Sequence, residues 1–120
     1  MKSQPEAAHA GSVIDLVAVA RELRADAIVS ALKHAARTIL REPDLRVVVL
    51  AMEAGSSLAE HHASDTATLQ VLHGHLRLRW NDRVVALAAG QLLPVERGLP
   101  RDGEAIAERA FVLVLARSAA

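Results

Sequence analysis

The sequence predicts an all-β domain, an antiparallel sandwich or barrel, preceded by one short helix. Three observations lead there. From Ala36 onward the chain is a succession of short apolar runs divided by turn signals, with almost no helical periodicity among them. Within one run, Leu76, Leu78 and Trp80 alternate with His75, Arg77 and Arg79, the period of a strand with one face buried. The length, 120 residues, leaves room for one core and no second.

Taken in order, residues 1–11 carry Pro5 and Gly11 and no periodicity, and read as a loose tail. Ser12-Val13-Ile14-Asp15 resembles a helix start, with Ser12 as cap and an acid three residues on. Val13, Leu16, Val17, Ala20 and Leu23 follow at helical spacing, with Asp15, Arg21, Glu22 and Arg24 off that stripe. Between Ala25 and His34 the alanines favour helix, while Ile28 and Val29 suit a strand. Residues 1–35 are therefore read as tail and helical extension, and 36–120 as the β-domain.

Ala36–Arg41 reads as a strand closed by Glu42-Pro43-Asp44. Arg46–Met52 is nearly all apolar, as in a strand buried on both faces or a buried helix segment, and its β-branched content favours the strand. Thr68–His73, then Gly74, then His75–Trp80 supply two more runs, and Asn81-Asp82 suits a hairpin turn. Val84–Leu87, Gln91–Val95 and Phe111–Ala116 complete the set.

Composition excludes several functions. The chain has no cysteine, so neither a disulfide framework nor a thiolate metal site is available. Its 14 Lys and Arg balance 14 Asp and Glu, so it lacks the positive field of a general nucleic-acid binder. Trp80 and Phe111 are its only aromatic residues besides histidine, too few for a base-stacking platform. The apolar runs are far shorter than a bilayer span, and residues 1–10 show no signal-peptide core. These features predict a soluble, cytoplasmic protein with no nucleic-acid or membrane partner. A phosphate loop, a serine nucleophile with its base, and paired carboxylates on one strand face are all without support in the residue spacing.

Four glycines carry a family resemblance. Gly55 and Gly74 are separated as in the first cupin motif, with His61 at its first histidine position. The second histidine position holds Ala63 and the glutamate position Ala67. Gly90 and Gly98 have the spacing of the second motif, whose proline, histidine and asparagine positions hold Glu96, Arg101 and Ala105. With the strand rhythm between the motifs, the segment Arg46–Ala116 resembles the cupins, and in particular small single-domain bacterial members with a helical N-terminal extension. The resemblance implies an RmlC-like jelly roll, a double-stranded β-helix, that pairs as a homodimer.

Cupins that hold iron, manganese, zinc or nickel do so through three histidines and a glutamate. Of those four positions only His61 keeps its ligand here. One imidazole does not hold a transition metal, which generally takes three or more protein ligands. The expectation is thus a barrel without cofactor, binding a small molecule, with His61, Arg101, Glu96, Leu69 and Val71 as candidate pocket residues. A buried Arg101 needs a counter-charge, from Glu96, Glu60 or an anionic ligand such as an organic acid. The alternative is a metal-dependent enzyme, of dioxygenase or isomerase type, with a site rebuilt from His61 and His73. His73 shares the parity of Ala67, Leu69 and Val71 and on that ground would look inward near the strand end, while the plainer reading makes His62, His73 and His75 surface or strand-end polar residues. A metal-free epimerase of related fold needs a tyrosine acid, and the chain has no tyrosine.

Overall fold

The computed structural model describes residue 8 and residues 11–59, 66–80, 83–95 and 104–117. One helix, α1 (Leu16–Val29), precedes seven strands: β1 (His34–Glu42), β2 (Leu45–Met52), β3 (Ser57–Ala59), β4 (Thr66–Trp80), β5 (Arg83–Ala88), β6 (Leu92–Val95) and β7 (Glu104–Arg117). The strands form one antiparallel sheet running β1-β2-β7-β4-β5, with β3 added beside β7 and β6 beside β4. This is a single-domain jelly roll, with β1 and β5 at the ends of the path.

The helix starts three residues later than the cap pattern predicts. Asp15, not Ser12, is the N-cap, and its carboxylate accepts from the Val17 and Ala18 amides at 3.1 and 3.2 Å. Both residue types satisfy free helix-end amides, and a pattern of this length holds one of each. Val13 is consequently outside the helix and fully exposed. The buried stripe is Ala20, Leu23 and Ala27, so the helix extends through the ambiguous alanines to Val29. The tail expectation changes at one residue: the Ala8 amide donates to the Ile39 carbonyl at 2.9 Å, and Ala8 forms a parallel bridge with Leu40 of β1.

The nearly all-apolar sequence of β2 follows from burial on both faces. Leu50 and Met52 point into an inner cluster, where they meet Val71, Leu78 and Val112. Val47, Val49 and Ala51 point outward, beneath Leu23 and Ala27 of α1 and beside Ile39 of β1. β7 divides in the same way, with Ala110 and Val112 inside and Phe111 and Leu113 under the helix layer. One strand pair thus separates two cores, and each fully buried Leu or Val contributes about 1.5–3 kcal/mol of transfer free energy.

The runs on either side of Gly74 form one strand, not two. β4 pairs with β7 along its length, and the ladder slips twice, between Val71 and His73 and between His73 and His75. Gly74, at φ 82°, and Arg109 on β7, at φ 46°, take left-handed backbone at this irregularity. The extra residues change which parity faces inward. Leu69 and Val71 are inside before the slip, and Leu76 and Leu78 inside after it. Beyond it His75, Arg77 and Arg79 are exposed, as the alternation predicts.

Candidate functional site: the barrel interior

The motifs direct attention to the inner face of the sheet, and its described walls come first. Val71 is completely buried and packs with Leu50, Met52, Leu78 and Val112, while Leu69 and Leu93 pack against this cluster from partly buried positions. Two backbone bonds hold Val71 in place: the Gly90 amide donates to its carbonyl at 2.8 Å, and its amide donates to the Gln91 carbonyl at 3.1 Å. Gly90, at φ 89°, makes the β5–β6 turn that brings these groups to β4. The Gln91 side chain completes the turn, its Oε1 accepting from the Ala88 amide at 2.8 Å. The second-motif glycine therefore serves to anchor the interior wall.

Ala67 shares the parity of Leu69 and Val71 and is buried, on the stretch of β4 flanked by β6 and β7. It occupies the position that the cupin motif gives to a glutamate. A methyl group donates no electron pair to a metal. Among the described residues no three His, Cys, Asp or Glu side chains lie close enough together to hold a cation.

The predicted site residues divide three ways. Leu69 and Val71 belong to the interior wall. His73 does not: the slip in the β4–β7 ladder breaks the parity that would turn it inward. Its ring is exposed and stands 5.6 Å from that of Phe111, which packs with the helix layer. His61, Glu96 and Arg101 lie outside the described residues. The strands flanking their segments are paired with one another, Ala59 beside Glu104 through the β3–β7 ladder and Ala67 beside Val95 through the β4–β6 ladder.

No protein-family pattern matches this sequence, and no curated protein matches it either. Solved structures do match its backbone. An RmlC-like cupin from Shewanella frigidimarina superposes with a TM-score of 0.61 at 16% identity, over 77% of this chain and 80% of that one. The chain has the cupin fold. KdgF from Halomonas sp. matches with a TM-score of 0.63 and 16% identity, covering 77% of this chain and 85% of its own. A conserved protein of unknown function from Streptococcus pyogenes matches with a TM-score of 0.70 and 20% identity, over 99% of this chain and 97% of that one. Coverage that complete takes in α1 together with the cupin sheet. At these identities the likeness concerns architecture, and one architecture carries many functions. No helix among the described residues is long and apolar enough to cross a membrane.

The sequence reading passed over two residues that the cupin fold brings beside His73. Arg21 and Arg24 of α1 face the same recess as His73 and Phe111. Their position three residues apart, off the apolar stripe, was the available signal.

Proposed function

We propose that this chain is a small-molecule binding barrel that works without a bound metal, and that its ligand is a small organic acid. The observation that carries the reading is Ala67, a buried methyl at the motif's glutamate position, on the same strand parity as Leu69 and Val71 of the apolar inner wall. Such a wall excludes water and offers a ligand apolar contact, with specificity left to a few polar groups. His61, Arg101 and Glu96 are the candidates for those groups. The guanidinium of Arg101 is chemically suited to a carboxylate, which takes both arms of its planar fork. An arginine in apolar surroundings is stable only when paired, and the acid would be its pair.

The test is a thermal-shift and calorimetric titration with acetate, succinate and benzoate. A ligand of the native state raises the melting temperature in proportion to the logarithm of its concentration. The expected result is saturable stabilisation by at least one acid, lost in Arg101→Leu and reduced in His61→Ala, both variants remaining folded. No shift with any acid at millimolar concentration, or an undiminished shift in Arg101→Leu, would overturn the reading.

A further inference from the structure

The two flanks of α1 differ. On one, Glu22 is paired with Arg37 of β1, Nη1 to Oε2 at 2.7 Å. On the other, a pocket of about 390 Å³ lies between the helix and the outer face of β4 and β7. That volume falls within the range of about 300–1,000 Å³ usual for small-molecule sites. Leu16, Val17 and Ala20 line it from the helix, and Leu72 and Phe111 line it from the strands.

Its polar lining is all basic: Arg21, Arg24 and His73. No acid lines it. Glu22 is engaged with Arg37, and the other described ion pair joins Arg109 to Glu53. Neither Arg21 nor Arg24 has a hydrogen bond or ion pair with a described residue. The Nε of Arg24 is buried and lacks a hydrogen-bond partner. Arg24 as a whole is half-buried and lines the pocket beside Arg21, so a carboxylate there would give two cationic side chains their counter-charge. The ladder slip in β4 adds His73, whose ring stands on Phe111 at 5.6 Å with a 36° tilt.

We propose that this pocket is a second ligand site, outside the barrel, for a small amphiphilic carboxylate. The guanidinium groups of Arg21 and Arg24 hold the carboxylate by charge-assisted hydrogen bonds. The hydrocarbon body lies on Ala20, Leu72 and Phe111, displacing water from apolar surface that the helix leaves uncovered. Val17, 60% exposed, forms part of the pocket's rim.

The probe is octanoate, titrated into isotope-labelled full-length protein and followed by NMR, with octylammonium and octanol as controls. Saturable shifts are expected at Arg21, Arg24, His73 and Phe111, with neither control matching octanoate. Arg21→Gln and Arg24→Gln should each weaken octanoate binding about tenfold, the loss expected for one charge-assisted contact. Arg21 is exposed, so its variant keeps the test valid should Arg24→Gln fold poorly. Shifts confined to Leu69 and Val71 would place the acid in the barrel, overturning this site while leaving the barrel reading intact. Equal binding of octylammonium, or octanoate affinity unchanged in both variants, would also overturn it. So would a doubled mass in solution with these resonances changing on dilution, since a second copy of the chain would then be the occupant. His61→Ala and Arg101→Leu should leave octanoate binding here unchanged, which separates failure of one site from failure of the other.

Discussion

The inner cluster and the helix layer are built on opposite faces of the same two strands, β2 and β7, yet they are closed by different means. Inside, side chains from β2, β4, β5 and β7 meet one another, so Val71, Leu78 and Val112 are enclosed by strands around them. Outside, a single 14-residue helix covers Val47, Val49 and Ala51 and leaves a pocket along its margin, lined by Leu72 and Phe111 of the strands. The inner cluster depends on every strand that contributes to it. The outer one depends on the docking of one element, and its uncovered margin is where basic side chains reach apolar surface.

The comparison yields predictions that descend in size. Val71→Asp places an unpaired charge in a fully buried position and should cost more than about 4 kcal/mol, enough to abolish the folded state. Circular dichroism and chemical denaturation check it, and a folded Val71→Asp variant would show that the inner cluster is not the basis of stability.

Next come two truncations of the same chemistry, Leu78→Ala inside and Leu23→Ala outside, both 1% exposed. Each should cost about 2–5 kcal/mol. Hydrogen exchange separates them: Leu23→Ala should lose protection first across residues 16–29 while the strands keep theirs, and Leu78→Ala should lower protection throughout the sheet. Equal loss everywhere in both variants would mean that the two layers unfold as one unit.

The smallest effect belongs to the helix start. Asp15→Ala removes both side-chain bonds to the first-turn amides and should cost about 1 kcal/mol, with Ser12→Ala near zero. A reversal of that order, measured by urea denaturation, would return the cap to Ser12.

Much of this architecture was legible in the residues. Strand rhythm, the two-sided apolar runs of β2 and β7 and the spacing of Gly55, Gly74 and Gly90 all express backbone needs, and backbone needs write themselves into short sequence windows. Parity alone did not decide the orientation of His73, although the plainer reading of it as a surface residue holds. Period-two alternation assumes an unbroken ladder, and one inserted residue reverses every inference beyond it. Gly74 marked the interruption without showing that β4 continues through it. The helix cap was misplaced by one turn: Ser12 was read as the cap, and Asp15, an equally good capping residue three positions on, takes that place. β3 is three residues long and carries no pattern of its own, so its place beside β7 emerges only from tertiary pairing. Of the candidate pocket, the wall residues Leu69 and Val71 could be read from parity alone because they precede the slip.

The central claim, a cupin fold put to use without a metal, rests on what stands at the motif's ligand positions. The most direct measurement is the metal content of the purified, untagged protein by plasma mass spectrometry at known protein concentration. The account predicts background levels of iron, manganese, nickel and zinc, unchanged after incubation with each metal and desalting. Near-stoichiometric retention of any one of them would contradict it, and would point to a ligand set assembled around His61.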